Sequence, residues 1–284
     1  MTSYNFNEIN ISSCIINVMK RNEEIKIIFT DVDWTILNHG HGKHVYDKKS
    51  LKALKKAQSK GVKVFISTAR PHDSLKLTGF FDEFKPDGMI LANGAIIFVE
   101  DEIIHHDYMT PSLVNKICDV AKKNNIVVQF VSEYDRWISE KINDDAQHYF
   151  DVFFEKIPEI RGYNGENVSG MLLFCDASKD EKVIKEIDQP DLDVFRLFPY
   201  AIDVREHLIQ KSDGINKVLE HYGFTTNQAL ALGDDVQDVP MFKLCKYSAA
   251  MENGNPIAKE AASYITNHID CHGVKQALKY FKVI

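Results

Sequence analysis

No apolar run in this chain approaches the about 20 residues that a helix needs to cross a bilayer, so no membrane partner is expected. No block of lysine and arginine stands out, and the formal charge is −7. Binding to a nucleic-acid backbone needs clustered cations, so nucleic acid is not expected as a partner either. The five cysteines, Cys14, Cys118, Cys175, Cys245 and Cys271, are scattered, odd in number and without a C-x-x-C pair. That pattern argues for reduced, mostly structural thiols in a cytoplasmic protein. Internal repeats and low-complexity tracts do not stand out. Residues 1–20 lack the basic start of a signal peptide, and Asn17 interrupts their short apolar stretch. This N-terminal extension reads as a disordered lead, a small added helix, or residues upstream of a start at Met19.

The chain has 284 residues and 44% hydrophobic content, enough for one large domain or two smaller ones. Three short apolar runs each end in polar residues. Lys26-Ile27-Ile28-Phe29-Thr30 leads into Asp31-Val32-Asp33-Trp34-Thr35, and Val62-Lys63-Val64-Phe65-Ile66 into Ser67-Thr68-Ala69-Arg70. Ala229-Leu230-Ala231-Leu232 leads into Gly233-Asp234-Asp235-Val236-Gln237-Asp238. Runs of this length read as buried parallel strands. Ligands of open parallel sheets bind beyond the carboxyl ends of the strands, so the three polar endings are expected to meet.

Between and beyond these runs, strand and helix patterns alternate over residues 25–100. Asp47 to Lys60 has Leu51, Leu54 and Ala57 at helical spacing, and Gly61 is a stop signal. Two apolar runs around Glu100-Asp101-Glu102 suggest a hairpin. The pattern changes near Pro111, where helices and strands form what reads as a separate small α/β layer. Strand–helix alternation then resumes to the end. The expected organisation is one α/β unit, residues 21–107 and 198–284, interrupted by a second at 108–197.

Side chains two apart on an extended chain share a side, so Asp31 and Asp33 face together. Neighbouring carboxylates persist where a cation sits between them or one stays protonated. Asp234 and Asp238 add further acids from another strand end. An all-oxygen cluster favours Mg²⁺ over zinc. Lys211 and Thr68 offer a cation and a hydroxyl to an anionic ligand. These parts suit phosphoryl transfer, where positioning and charge neutralisation do most of the work. Taken singly each has a plain structural reading: a turn, a helix cap or a solvated lysine. The combination, each at a strand end, carries the chemistry.

Asp31-Val32-Asp33-Trp34-Thr35-Ile36-Leu37 resembles the D-x-D-x-T-x-L motif of the haloacid dehalogenase superfamily. Ser67-Thr68-Ala69-Arg70-Pro71, Lys211-Ser212-Asp213-Gly214-Ile215 and Gly233-Asp234-Asp235-Val236-Gln237-Asp238 resemble its three later motifs, in order. The stretch from Met251 to Ala262 and Asp270-Cys271-His272-Gly273-Val274 are similar to the Cof-like branch. The resemblance covers residues 25–284. It implies a Rossmann-like parallel-sheet core with an inserted α/β cap. It also implies a Mg²⁺-dependent hydrolase of small phosphorylated metabolites, sugar phosphates foremost, as a monomer or small homo-oligomer. Asp31 would carry the phosphoryl group and Asp33 would act as acid and base. Asp31, Asp33 through its backbone carbonyl, and Asp234 would hold the metal, with Asp238 in support. Thr68 and Lys211 would bind phosphoryl oxygens. Asn93, Arg70 and Asn253 would lie near the substrate.

Substrate choice is expected from cap loops; Trp137, Tyr149 and Phe153 are candidates to line a sugar-binding surface, with the cap's own core the expected place for most of them. Four residues depart from the family pattern. Trp34, Ala69 and Asp235 stand where glycine is usual, and Gln237 where asparagine is usual. His39, His41 and His44 read as a mobile polar loop. The rivals are a phosphomutase or phosphotransferase using the same aspartyl-phosphate, and a catalytically weak regulatory or binding protein on the same fold.

Overall fold

The computed structural model describes residues 24–40, 44–153, 156–187, 192–206 and 209–284. The expectations for residues 1–20, and for His41, fall outside them.

An eight-stranded sheet organises the larger unit. Its order is Tyr264–Ile265, Tyr247–Ala250, Ala229–Gly233, Ile27–Thr30, Lys63–Ser67, Gly88–Leu91, Ile96–Val99, Glu102–His106. The first six strands are mutually parallel, and the last two form an antiparallel hairpin at one edge. Alternate residues of the central strand enter opposite layers. Ile28 packs with Leu51 and Leu54 of helix Lys48–Ser59 and with Val274 and Leu278 of helix Gly273–Tyr280. Ile27 and Phe29 pack with Ile215 and Val218 of helix Lys211–Tyr222 and with Met241 of helix Val239–Leu244. Burial on both faces is why these strands read as unbroken apolar runs. Helix Lys48–Ser59 starts where the Asp47 carboxylate accepts from the Lys49 and Ser50 N–H groups, and Gly61 lies just past its end.

The register brings the polar endings level. Thr30 lies opposite Ile66 on one side and Leu232 on the other. The chain therefore leaves all three strands at the same edge, at Asp31, Ser67–Thr68 and Gly233–Asp234.

A six-stranded sheet forms the second unit, in the order Glu159–Ile160, Arg136–Ile138, Val127–Val131, Gly170–Phe174, Ala201–Glu206, Leu192–Phe198. Helices Pro111–Lys123 and Asp180–Ile187 cover one face through Ile117, Val183 and Ile187 against Phe130, Met171 and Val204. Helix Asp144–Val152 covers part of the other, its Ala146 and Phe150 packing on Val127, Phe174 and Ala201. The expected boundary at 197/198 misplaces one strand: Ala201–Glu206 pairs with Gly170–Phe174 and with Leu192–Phe198, inside this second sheet. Pro199-Tyr200 is the turn of the antiparallel hairpin that Leu192–Phe198 and Ala201–Glu206 form.

Candidate active site

One cavity of about 300 Å³ lies where the carboxyl ends of the central strands face the second sheet. Asp31, Asp33, Thr68, Arg70, Lys211, Asp234 and Asp238 all line it.

Lys211 sits at the first turn of helix Lys211–Tyr222, which is pressed against strand Gly88–Leu91. Gly214 permits that approach: a Cβ there would fall 2.5 Å from Ile90 Cγ2. The Lys211 ammonium is buried and donates to Asp31 Oδ1 at 2.5 Å and to Asp238 Oδ1 at 2.6 Å. Asp238 folds back over the loop, and its Oδ2 accepts from the Asp234 and Asp235 N–H groups at 2.8 and 3.0 Å. Gly233 leaves room for that carboxylate, since a Cβ there would lie 2.3 Å from Asp238 Oδ2. Thr35 donates its hydroxyl hydrogen to Asp234 Oδ1 at 3.2 Å. Thr68 is buried, and its Oγ1 accepts from the Arg70 N–H.

Burial pushes the Asp31 carboxyl well above the ordinary carboxylate range, against the pull of Lys211 and with a further push from Asp238 and Asp33. Burial, then Asp31, Asp238 and Asp235, push Asp234 up to about 9. Burial opposes the Lys211 charge too, yet Asp238 and Asp31 outweigh it and raise the ammonium above the usual lysine value. Three carboxylates share one ammonium, and one oxygen from each of Asp31, Asp234 and Asp238 lies within 4.8 Å of the others. With all three ionised, two negative charges would exceed the one ammonium, and that surplus in a buried, all-oxygen site is what raises Asp31 and Asp234 and what a divalent hard cation such as Mg²⁺ would neutralise.

Asp33 is held differently. Arg70 donates to both of its oxygens, Nε to Oδ2 and Nη2 to Oδ1, each at 2.8 Å. His39 Nε2 lies 2.5 Å from Asp33 Oδ1. Burial pushes this carboxyl up, but Arg70 and His39 outweigh it and hold it below the ordinary range. His39 is thus not part of a mobile polar loop. It is buried against Asp33, with its ring against Trp34, His44 and Phe153. The sequence signal was a histidine six residues after Asp33, too common a pattern to single out.

Trp34 explains its own unusual position. Its φ of +56° is the left-handed conformation that favours glycine, and its ring, 41% exposed, walls the cavity. Asn253 donates its amide N–H to the Trp34 carbonyl, and its Oδ1 accepts from the Ile269 N–H. Both ends of that side chain therefore tie backbone together, and Asn253 is not among the cavity's lining residues. Asn93, also left-handed, donates its N–H to the Thr68 carbonyl and is likewise outside the lining. Tyr149 and Phe153 do line the cavity, whereas Trp137 lies in the second sheet's core, stacked on Phe130. Sequence reasoning missed Gln129, Arg136, Asp203 and Arg205, which line the cavity from strands of the second sheet and not from its loops. Their signal was a polar side chain at every second position of apolar strands.

The chain belongs to the haloacid dehalogenase-like hydrolases, whose family model matches residues 28–278. Within that family it is a phosphatase of the Cof-like type. It is 27% identical over 278 residues to the 5-amino-6-(5-phospho-D-ribitylamino)uracil phosphatase YcsE of Bacillus subtilis (strain 168), a match covering 93% of this chain and 99% of that one. Its fold superposes on the HAD subclass IIB sugar phosphatase BT4131 with a TM-score of 0.77 at 25% identity, covering 91% of this chain and all of that one. A protein from Geobacillus kaustophilus HTA426 has the same fold, with a TM-score of 0.84 at 22% identity and 92% of this chain covered. Among the described residues, no helix is long and apolar enough to cross a membrane.

Proposed function

We propose that the chain hydrolyses small phosphomonoesters, sugar and sugar-alcohol phosphates foremost, through an aspartyl-phosphate on Asp31. The observation that carries this reading is the Asp31–Lys211–Asp238 ion triad beside Asp234 and Thr68 in one cavity. The relatives' substrates, a ribitylamino phosphate and sugar phosphates, are of the same class.

Asp31 Oδ attacks phosphorus, the bond to the leaving oxygen breaks, and that oxygen takes a proton from Asp33. A water then attacks the phosphoryl group, its proton passes to Asp33, and the bond to Asp31 breaks to release phosphate. Lys211 holds Asp31 in place and offers its charge to the phosphoryl oxygens, which Thr68 also binds. Asp33 as gripped by Arg70 and His39 is ionised, the form that accepts the proton of the water. To donate in the first half it must be protonated and leave that grip, so Arg70 governs the switch between its two roles. Asp31, Asp234 and the Asp33 carbonyl are the groups to hold Mg²⁺. Asp238, whose oxygens already accept from Lys211 and two backbone N–H groups, supports them. Bound there, Mg²⁺ supplies charge neutralisation for the incoming phosphate.

The test is phosphate release from a panel of sugar phosphates and phosphorylated cofactors, with and without Mg²⁺, for wild type and Asp31→Asn. Mg²⁺-dependent release that Asp31→Asn abolishes supports the reading. Equal behaviour of the two proteins on every ester removes it. A phosphotransferase would instead pass the group to an added sugar and leave the phosphate total unchanged.

A further inference from the structure

The second sheet has an unusual front face. Side chains alternate across a strand, so residues 127, 129 and 131 share a face with 170, 172, 174 and with 201, 203, 205. One end of that face, Val127, Phe174 and Ala201, is apolar and lies under helix Asp144–Val152. The other end is uncovered by that helix and carries Gln129, Asp203 and Arg205, with Arg136 one strand further on. All four are nearly fully buried, and all line the cavity that holds Asp31.

Buried polar groups are costly unless they are satisfied. Asp203 and Arg205 satisfy each other: Arg205 Nη2 donates to Asp203 Oδ2 at 2.7 Å, and Arg205 Nε donates to both Asp203 oxygens at 3.1 Å. Arg136 Nε donates to Asp73 at 2.6 Å. The donor Arg205 Nη1 and the acceptor Gln129 Oε1 have no partner inside the protein. The register spaces them around a cleft. Gln129 and Asp203 flank Leu172 in one row, and Val131 and Arg205 flank Gly170 in the next. At about 4.8 Å per strand the two sides stand roughly 10 Å apart. Gly170, without a side chain of its own, leaves room for Arg205 to lean over it: a Cβ there would lie 3.5 Å from Arg205 Cγ and 3.7 Å from its Nε.

We propose that Gln129 and Arg205 select the ester: a neutral, hydroxyl-bearing leaving group accepts from Arg205 Nη1 and donates to Gln129 Oε1. The proposal rests on the phosphomonoesterase reading and adds which end of the cavity selects the ester. The leaving group is neutral because each arginine there already has its carboxylate. Asp193, across from Arg205 in the neighbouring strand, adds further negative charge. A second phosphate or a carboxylate on the substrate would meet no uncompensated cation, and its desolvation would go unanswered.

The test compares kcat/KM for glucose 6-phosphate, 6-phosphogluconate and phenyl phosphate in the Mg²⁺-loaded enzyme, for wild type, Gln129→Met and Arg205→Lys. Gln129→Met keeps the volume and removes an acceptor that has no protein partner, so it should melt at or above the wild-type temperature. Arg205→Lys keeps a cation beside Asp203 and removes Nη1. In the wild type, glucose 6-phosphate should outrun 6-phosphogluconate by about tenfold or more. Each substitution should cut the ratio of glucose 6-phosphate to phenyl phosphate by about tenfold, the scale of one hydrogen bond to a substrate hydroxyl. A wild-type preference for 6-phosphogluconate, or ratios in both variants equal to the wild type's, would overturn the proposal while leaving the hydrolase reading in place. Release from none of the three esters would overturn the hydrolase reading and the proposal with it.

Discussion

Replacing Lys211 by methionine keeps the length and apolar body of the side chain and removes only its charge. In the folded protein that ammonium touches Asp31 and Asp238, and all three side chains are buried. Deleting one partner of a buried ionic set costs about 3–5 kcal/mol, because the remaining charges stay desolvated. Here two carboxylates lose their cation together, so the upper end of that range applies at pH 7 without metal. For a chain of this size each kcal/mol lowers Tm by about 2–4 °C, so the fall should be about 10 °C or more. Two recoveries follow from the same picture. Mg²⁺ should restore part of the loss, because Asp31 and Asp234 are its proposed ligands. Lowering the pH to 5 should restore part as well, because protonation relieves Asp31. The assay is thermal unfolding of Lys211→Met and wild type in chelator, in Mg²⁺, and at both pH values. A metal-free variant that melts within about 2 °C of wild type at pH 7 would refute the reasoning.

Three further outcomes are expected. The Asp234 carboxyl is raised to about 9 in the folded state, so between about pH 4 and 9 the native protein holds a proton that the unfolded chain has released. Metal-free stability should therefore fall as pH rises through that window, by at most about 1.4 kcal/mol per pH unit, and Mg²⁺ should flatten the slope; Tm against pH in chelator and in Mg²⁺ checks both. Gly233→Ala forces a methyl into the Asp238 carboxylate and should cost about 2 kcal/mol or more in urea unfolding, along with most of the phosphatase activity. Trp34→Gly relieves a left-handed residue at about 1 kcal/mol but adds back a similar glycine entropy cost, so Tm should stay within about 2 °C, while kcat/KM for bulky esters rises as the cavity wall is lost.

The acids were legible because each stands where an apolar run stops. That rule placed Asp31, Thr68 and Asp234 at one sheet edge, and the parallel register around Thr30, Ile66 and Leu232 brings them level. Lys211 was legible only through its motif, since a lysine at a helix start has no periodic signature. The second sheet was harder to read. Only strand pairing reveals that Ala201–Glu206 belongs to the second sheet and not to the larger unit. Gln129, Asp203 and Arg205 alternate with apolar neighbours as any half-exposed strand would. Their meaning depends on how far helix Asp144–Val152 reaches across the sheet, which no local pattern encodes. His39 was misread because its partner is set by the fold of the loop after Asp33 and not by spacing. Asn253 was assigned to the substrate by resemblance, yet its two ends hold the Trp34 and Ile269 backbones.

The central claim is that Asp31 carries the phosphoryl group. Its most direct measurement is rapid acid quench of the enzyme during turnover of its best ester with Mg²⁺, followed by mass spectrometry of the peptide that contains residue 31. The account predicts one added phosphoryl group on Asp31 in the wild type and none in Asp31→Asn. Steady phosphate release with the peptide unmodified at every quench time, or with the group on another residue, would contradict it.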